Sequence, residues 1–491
     1  MRATMPPEVR KIAEALRQTG FNAYLVGGCV RDLLLSREPK DWDIATDARP
    51  EEIQKIFVDS VYENEFGTVG VKTDSENPAL KVVEVTTFRW EGKYTDKRHP
   101  DEVRFAQTIE EDLSRRDFTI NAMALNLQPT TYNLTTNLVD PYGGQADLKE
   151  RVIRAVGTAE ERFNEDALRL VRAVRFAAEL DFQIEFNTRR AIEKRAGLLE
   201  MIAKERIRDE FTKMLMSERA SAGIILLEEL NLLRYVLPEL REGLGVMQNQ
   251  HHIYSVFEHH VRSLDYAAKK NYPLYIRLAA LLHDVAKPKT KEGEGPDSTF
   301  YNHERVGAKM AVRGLERLHF SKDLIEQVAH LVRYHMFYYN VDEVSAAGVR
   351  RFLVRVGPEN VDDLLKLREA DRIGSGVPKA VPYKLRHLLY MIEKVKHDPL
   401  SPKMLKIGGE DVMRIASITP GPRVGWMLNI LLEEVLDDPA KNERGHLENR
   451  VAELNRMTDA DLTALAEKAR EKKDESEKGI EEEMKKRHYV K

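Results

Sequence analysis

The sequence predicts two kinds of architecture in one chain: an α/β head over residues 1–144, followed by a long all-α remainder. In the head, short apolar runs typical of buried strands alternate with apolar residues at helical spacing. Beyond residue 145 the helical spacing continues almost throughout. Since 491 residues are enough for several domains, we expect five segments. Their predicted boundaries are 1–144, 145–217, 218–250, 251–376 and 377–491.

Composition narrows the classes of protein that this chain can represent. Hydrophobic residues make up 42% and charged residues 32%, which is ordinary for a largely helical protein. No apolar run approaches the roughly 18 residues that span a bilayer, and the start lacks a secretory signal, so we expect no membrane partner. A single cysteine, Cys29, excludes an intramolecular disulfide and predicts a cytoplasmic location. The net charge of −4 requires any nucleic-acid contact to use a local basic patch.

The stretch from Leu25 to Thr46 organises the predicted head. The apolar run from Ala23 to Val26 indicates a buried strand. Gly27 and Gly28 follow it without side chains, which lets a ligand approach the backbone closely. Val30 to Leu35 predicts a helix whose N-terminus faces that gap, an arrangement that favours phosphate.

Asp41 and Asp43 follow this helix after five intervening residues. Positions i and i+2 of a strand share a face, so we expect both carboxylates on one side and Trp42 on the other. Two such carboxylates repel each other unless a cation lies between them, and their hard oxygen ligands suit Mg²⁺. The alternative is a glycine turn beside an exposed pair of acids on an edge strand. Either feature alone favours that alternative, whereas the two in this order predict metal-assisted nucleotidyl transfer.

The stretch Leu25–Thr46 resembles the signature of the nucleotidyltransferase superfamily, in particular the class II tRNA nucleotidyltransferases, which include CCA-adding enzymes and bacterial poly(A) polymerases. The resemblance implies a nucleotidyltransferase head with a small mixed sheet and Mg²⁺ held by Asp41 and Asp43. It also implies a set of residues that position the triphosphate: Gly27, Gly28, Arg31 and Arg116.

Two further features of the head have open interpretations. Glu84 lies among valines in a strand-like run and is either exposed at a sheet edge or directed at the site; we favour a third acid near the metal. Residues 89–105 are polar and predict a loop, which on residue type alone is a hairpin connection. The resemblance implies a flexible loop that serves addition of the final adenosine. Its full length argues against an enzyme that adds only CC.

The string from Arg115 to Ala122, Arg-Arg-Asp-Phe-Thr-Ile-Asn-Ala, offers guanidinium groups for a triphosphate and polar groups for a ribose. It resembles the family's ribose-recognition motif. That resemblance implies that Arg116 contacts the nucleotide and that Asp117 and Asn121 select the ribose.

Residues 163–176 predict one amphipathic helix in the neck. Its polar residues follow steps of three positions and wind over one side: Asp166, Arg169, Arg172 and Arg175. One interpretation is a solvated face with ion pairs between neighbouring turns. The other is base recognition. Cytosine and adenine both present an amine donor beside a ring-nitrogen acceptor, so a carboxylate and a guanidinium can accept and donate there, whereas uracil and guanine are rejected.

The neck also resembles the family's Glu-Asp-x-x-Arg motif, in which Asp166 and Arg169 read the base. The same resemblance implies that Arg172 and Arg175 contact the bound nucleotide. Further along, basic residues are dense between Arg189 and Arg208. They are compatible with a track for the tRNA backbone or with ordinary charge on helix surfaces.

Histidine density rises after residue 250. Imidazole and carboxylate ligands on adjacent helices suit a divalent metal and a hydrolytic water. Residues 281–288, Leu-Leu-His-Asp-Val-Ala-Lys-Pro, resemble the HD superfamily of metal-dependent phosphohydrolases, and Lys287 fits the same motif. The resemblance implies a site for a divalent transition metal. Its basic ligands would be His259, His283, Asp284 and Asp371, with His303 and His335 as the additional histidines of binuclear members.

The combination resembles tRNA nucleotidyltransferases with a C-terminal HD domain and implies an elongated, multidomain enzyme that adds CCA to tRNA from CTP and ATP. Residues 377–491 predict a helical tail that contacts tRNA and ends in a solvated or disordered charged segment. Four alternatives remain: an enzyme that adds only the final A, a poly(A) polymerase, an HD phosphohydrolase with an RNA-binding head, and a non-catalytic tRNA chaperone. The sequence does not give the oligomeric state.

Overall fold

A computed structural model describes residues 5–64, 67–92, 103–127, 137–248, 253–337, 339–341 and 344–469. The chain divides into two compact units. The first comprises Met1–Arg241 with Gly314–Ser321, and the second comprises Glu242–Arg313 with Lys322–Lys491. Most of the predicted loop at 89–105 and the charged end beyond residue 469 lie outside the described residues. Within the described part, no helix combines the length and the apolar composition needed to cross a bilayer.

The first unit contains a mixed seven-stranded sheet in the order β3-β4-β5-β2-β1-β8-β9. Its strands are β1 Ala23–Val26, β2 Asp43–Thr46, β3 Ser60–Asn64, β4 Thr68–Lys72, β5 Val82–Thr87, β8 Ala124–Asn126 and β9 Leu138–Val139. The pair β2–β5 is parallel, and the other neighbours are antiparallel. Two short pairs lie apart from this sheet: β6 Arg89–Glu91 with β7 Val103–Phe105, and β10 Val152–Ile153 with β11 Gln183–Ile184.

The helices of the first unit follow the apolar spacing of the sequence. The first one buries Val9, Ile12, Ala13 and Leu16, the residues that helical periodicity selects. The helices of the head are α1 Pro7–Gln18, α2 Gly28–Leu34, α3 Pro50–Ile56 and α4 Ile109–Ser114. Those that follow are α5 Gly144–Glu150, α6 Ala159–Glu165, α7 Leu168–Leu180, α8 Phe186–Arg195, α9 Lys204–Leu215, α10 Ala220–Glu229 and α11 Leu233–Val236.

The second unit is helical. Its helices are α12 Val256–Lys269, α13 Leu274–Leu282, α14 Lys287–Thr290, α15 His303–Arg317, α16 Lys322–Tyr334 and α17 Ala346–Val356. They continue with α18 Val361–Gly374, α19 Tyr383–Val395, α20 Gly409–Ala416, α21 Pro422–Asp437 and α22 Arg444–Asn455. The last turn of α15 belongs to the first unit. An α/β head followed by helical domains confirms the predicted fold class.

Two local predictions were wrong. The single helix expected over residues 163–176 is two helices, because Asp166 is extended (φ −134°, ψ 104°) and its Oδ1 accepts the N–H of Leu168 at 3.0 Å. A short acidic side chain competes in this way with the helical backbone pattern. The strand expected to carry both aspartates begins at Asp43, so Asp41 precedes it and is exposed, while Trp42 is buried.

Candidate functional site

The turn between β1 and α2 brings bare backbone close to charged side chains. Gly27 has a φ of 75°, which glycine adopts without strain. A Cβ atom added there would lie 2.8 Å from Nη1 of Arg116 and 3.8 Å from Oδ2 of Asp43. The backbone angle therefore favours glycine, and a side chain at this position would displace the guanidinium of Arg116. Helix α2 begins directly after it at Gly28.

Asp43 and Glu84 lie opposite each other on the parallel strands β2 and β5. Paired residues of neighbouring strands project to the same face, so both carboxylates point to one side of the sheet. Burial raises the pKa of Asp43, the charge of Arg116 lowers it in part, and the charge of Asp41 raises it again. Asp43 is half-buried, and a carboxylate whose negative charge is disfavoured is one that a bound cation stabilises. Asp41 and Asp43 therefore fit a divalent metal, and Glu84 is exposed within the sheet rather than at its edge.

Asp112 holds the two arginines of the motif at the end of α4. Its buried carboxylate pairs with Nη2 of Arg115 at 2.8 Å and with Nη2 of Arg116 at 3.1 Å. Burial opposes the charge of Asp112, but the two guanidinium groups hold its pKa below the ordinary value. Asp112 is not among the residues predicted from the sequence, although its i,i+3 and i,i+4 spacing to the two arginines was a usable signal.

A chain of hydrogen bonds joins the head motifs to the neck helix α7. Nη1 of Arg31 donates to Oδ1 of Asn121 at 2.8 Å, and Nδ2 of Asn121 donates to Oδ1 of Asp117 at 3.2 Å. Oδ2 of Asp117 accepts from Nε and Nη2 of Arg172 at 2.8 and 2.6 Å. Although burial raises the pKa of Asp117, Arg172 lowers it to about 2. Four residues singled out separately by the sequence thus form one network.

Asp166 and Arg169 each form ion pairs or hydrogen bonds with residues next to this network. The carboxylate of Asp166 pairs with Nη2 of Arg206 at 2.7 Å. Arg169 is buried, and its guanidinium donates to Glu165 and to the backbone oxygens of Arg162 and Arg115. The charge of Asp166 acts on Arg172, and that of Arg169 on Asp117. The structure therefore places the pair predicted to read the base beside the Asp117–Arg172 contact.

The arginine face of α7 is packed rather than solvated. Arg175 is buried, and its guanidinium lies 3.9 Å from the ring centroid of Phe176. Glu210 on α9 is also buried and pairs with both Arg172 and Arg175. Glu210 is not among the residues predicted from the sequence, and it occupies a position in the apolar spacing of α9 where a hydrophobic residue would be expected. An acid on a buried helix face was the available signal.

In the second unit, six histidine and aspartate side chains converge from several helices. His259 lies within α12, His283 caps α13, and His303 begins α15. His335 follows the end of α16, and Asp371 lies in α18. Together with Asp284, these residues form two groups whose ligand atoms lie within 4.8 Å of one another. One group is His259, His283, Asp284 and Asp371, and the other is Asp284, His303 and His335.

Asp284 links the two groups through its two oxygens. Oδ2 lies 3.1 Å from Nε2 of His259 and 3.3 Å from Nε2 of His283. Oδ1 lies 3.2 and 3.4 Å from Nε2 of His303 and His335. Within the described part of the chain, Oδ1 is buried and accepts no well-formed hydrogen bond. A buried oxygen in that state, surrounded by imidazole nitrogens, fits a site for a bridging divalent cation.

The backbone orients three of these imidazoles. Nδ1 of His283, His303 and His335 lies within hydrogen-bond distance of backbone oxygens three residues earlier, at 3.0, 2.6 and 2.7 Å. An N–H donated from Nδ1 leaves the lone pair of Nε2 for a metal. Burial lowers the pKa of His335 to about 4, so its ring is neutral and available as a ligand.

Two cationic side chains adjoin the cluster. Nζ of Lys287 lies 2.6 Å from Oδ2 of Asp284 and donates to Oε1 of Gln248 at 2.6 Å. Arg368 pairs with Asp371 at 2.6 Å. Lys287 was predicted from its motif, whereas Gln248 and Arg368 were not, because no local motif marks a residue that reaches the cluster from another segment.

Three family models match successive parts of the chain. Residues 23–154 match the poly A polymerase head domain, residues 181–244 match a probable RNA- and SrmB-binding site of polymerase A, and residues 256–373 match the HD domain. Their order agrees with that of the two candidate sites along the sequence: the glycine turn with its aspartates comes first, and the histidine and aspartate cluster comes second.

Whole-chain relatives extend this similarity. A CCA-adding enzyme of Lactococcus lactis is 35% identical over 462 residues, which cover 92% of this chain and 97% of the relative. An A-adding tRNA nucleotidyltransferase of Deinococcus radiodurans is 37% identical over 427 residues, covering 84% and 91%. The crystal structure of the Bacillus stearothermophilus CCA-adding enzyme in complex with CTP is similar with a TM-score of 0.68 at 29% identity, covering 92% of this chain and 98% of that one.

We expect the histidine and aspartate cluster to bind two equivalents of Co²⁺ or Mn²⁺. Asp284→Ala should weaken both by at least about 100-fold because the shared ligand is lost, whereas His335→Ala should weaken one. Isothermal titration and elemental analysis of the dialysed protein provide the measurement. His446→Ala, an exposed histidine of α22, is the matched control. Unchanged affinity for both equivalents in Asp284→Ala would contradict the ligand assignment.

Proposed function

We propose, because this chain belongs to the tRNA nucleotidyltransferase family, that it adds CCA to the 3′ end of tRNA from CTP and ATP without a nucleic-acid template. The 3′-hydroxyl oxygen of tRNA attacks the α-phosphorus, the bond to the bridging oxygen breaks, and pyrophosphate leaves. The observation that supports this best is the network Arg31–Asn121–Asp117–Arg172, which joins the glycine turn to the neck helix. A single buried cysteine, Cys29, fits the reducing cytoplasm in which we place the reaction.

Asp41 and Asp43 are the residues that we expect to hold Mg²⁺. Their mutual repulsion and the partial burial of Asp43 both favour a cation. When bound, two Mg²⁺ ions supply activation of the attacking hydroxyl and stabilisation of the pyrophosphate. We assign Glu84 as a third acid of this site because its carboxylate shares the face of Asp43.

The remaining head and neck residues position the nucleotide. We assign Gly27, Gly28, Arg31 and Arg116 to the triphosphate, since α2 offers its N-terminus beside two guanidinium groups. Asp117 and Asn121 take the ribose. Arg172 and Arg175 complete the nucleotide site, and Glu210 holds both of them in place.

Base choice is assigned to Asp166 and Arg169. Asp166 accepts from the exocyclic amine of cytosine or adenine, and Arg169 donates to the adjacent ring nitrogen. Both side chains can form these additional hydrogen bonds. A carboxylate oxygen accepts more than one hydrogen bond, and within the described residues three of the five N–H groups of Arg169 are used.

A narrower function is addition of the terminal A alone. The A-adding relative from Deinococcus radiodurans, at 37% identity, is the observation that favours it. A poly(A) polymerase shares the same head chemistry. Full CCA addition remains our proposal because the match to the CCA-adding enzyme of Lactococcus lactis covers 92% of the chain, against 84% for the A-adding relative.

We also propose that the histidine and aspartate cluster hydrolyses phosphomonoesters or cyclic phosphodiesters at damaged tRNA ends. His259, His283, Asp284, His303, His335 and Asp371 would hold the divalent metals. A bound metal supplies a hydroxide nucleophile at neutral pH. Lys287 and Arg368 then offer positive charge to a phosphate beside the cluster.

Incubation of the protein with tRNA ending before, within and after CC, with each NTP separately, tests the main proposal. We expect two C residues and then one A to be incorporated. Asp41→Asn and Asp43→Asn should each lower the rate by on the order of 10³-fold because metal binding is lost. Asp59→Asn, an exposed acid of the head, is the control. Addition of A alone would support the narrower function, and incorporation that survives both variants would refute the metal assignment.

Removal of the base-reading groups should relax nucleotide choice. Asp166→Ala and Arg169→Ala should each reduce discrimination against UTP by about tenfold to a hundredfold, since a donor–acceptor match is lost. Single-turnover incorporation of CTP, ATP, UTP and GTP measures this, with Arg10→Ala on the exposed side of α1 as control. Unaltered discrimination together with a reduced rate would assign these residues a purely structural role.

His283→Ala and Asp284→Ala should abolish hydrolysis of p-nitrophenyl phosphate and of 2′,3′-cyclic nucleotides in the presence of Mn²⁺, Co²⁺ or Ni²⁺. CTP incorporation by the same proteins should persist, because the head ligands are intact. His446→Ala should retain both activities. Hydrolysis that is unaffected by the first two substitutions would refute the phosphohydrolase assignment.

A further inference from the structure

The outer face of α19 carries aromatic side chains that neither proposed reaction uses. Tyr383, His387 and Tyr390 follow each other at spacings of four and three residues, which places them on one side of the helix. The opposite side is buried through three apolar residues: Leu385, Leu388 and Val395. The aromatic side is therefore the one that α19 presents to solvent.

The rings form a continuous row. The centroid of His387 lies 6.0 Å from that of Tyr383 and 5.9 Å from that of Tyr390. Tyr383 is 61% exposed and Tyr390 is 60% exposed, so these large side chains contribute little to the core. Successive exposed rings are the arrangement on which nucleic-acid bases stack in single-strand binding proteins.

The outer face of α19 carries positive charge, which distinguishes it from an apolar protein-binding surface. Residues 379–396 contain five lysines and arginines and one acid, Glu393. Within the described residues, Arg386 and Lys394 pair with no carboxylate. The basic residues of the neck differ, because acids compensate most of them, as Glu160 does for Lys194 and Arg195. The uncompensated positive charge of α19 is complementary to a phosphate backbone.

The same face is tied to the segment that carries His335. The hydroxyl of Tyr339 is hydrogen-bonded to Nδ1 of His387, and Lys384 donates to Asn340. Tyr339 follows His335 by four residues, a separation that spans at most about 14 Å. The aromatic row is therefore close to His335, a residue of the histidine and aspartate cluster.

We propose that the outer face of α19 binds single-stranded RNA. Bases stack on Tyr383 and Tyr390, and phosphates lie beside Arg386 and Lys394. This proposal rests on the proposed function in one respect only, which is that the substrate is RNA. It requires neither nucleotide incorporation nor phosphate hydrolysis. A strand held here lies next to the histidine and aspartate cluster, which gives that cluster access to an RNA end.

Photo-crosslinking of the full-length protein to a single-stranded RNA of about ten nucleotides containing 5-iodouridine locates the contact. Mass spectrometry should identify crosslinked peptides that contain Tyr383 or Tyr390. The double variant Tyr383→Ala/Tyr390→Ala should lose these crosslinks and bind the oligonucleotide on the order of tenfold more weakly in fluorescence anisotropy. The double phenylalanine variant should retain binding, because the rings still stack. Leu389→Ala, an exposed residue on another side of the helix, is the control.

Crosslinks confined to residues 1–241, or unchanged affinity in the double alanine variant, would overturn the proposal. The proposal would also be overturned if double-stranded RNA bound as tightly as the single strand and if the double alanine and double phenylalanine variants lost affinity equally. Stacking would then play no part. CTP incorporation measured on the same proteins reports the head separately. The RNA surface and the nucleotidyl transfer can therefore fail independently.

Discussion

The ion pair between the buried carboxylate of Asp117 and the half-buried guanidinium of Arg172 is the interaction on which the candidate nucleotide site of the first unit depends. It connects a turn of the α/β head with the helix of the neck. Because Asp117 is buried, loss of Arg172 would leave its carboxylate without its main cationic partner, which is costly. Arg31 and Asn121 extend the contact toward the glycine turn, and Glu210 extends it into α9. Side chains from distant parts of the sequence, which we assign to nucleotide binding, are thereby held in one place.

Much of this arrangement was predictable from local pattern. The apolar spacing of α1 and the strand before Gly27 are periodic signals that depend only on neighbouring residues. The break at Asp166 was not predictable in the same way, because helical spacing continues across it and a side-chain hydrogen bond decides the outcome. Asp112 and Glu210 were missed because their importance arises from burial, which tertiary packing creates. The solvated arginine face was an incorrect alternative for the same reason.

The second unit shows how far a motif can predict a cluster. His283 and Asp284 are adjacent in sequence, and the resemblance supplied their four partners, which the helices bring together. The sequence did not indicate that Asp284 would face both groups through separate oxygens. It also did not indicate Gln248 or Arg368, which approach from separate segments. On α19, the spacing of Tyr383, His387 and Tyr390 was visible in the sequence, but only their exposure gives that spacing meaning.

A double-mutant cycle on Asp117 and Arg172 tests the central claim that this contact assembles the nucleotide site. The measurement is kcat/KM for CTP incorporation in Asp117→Ala, Arg172→Ala and the double variant, with folding checked by circular dichroism. If the pair acts as one unit, the double variant should be no worse than the poorer single variant, with a coupling energy of about 1 kcal/mol or more. Effects that multiply independently, with no coupling, would contradict the account.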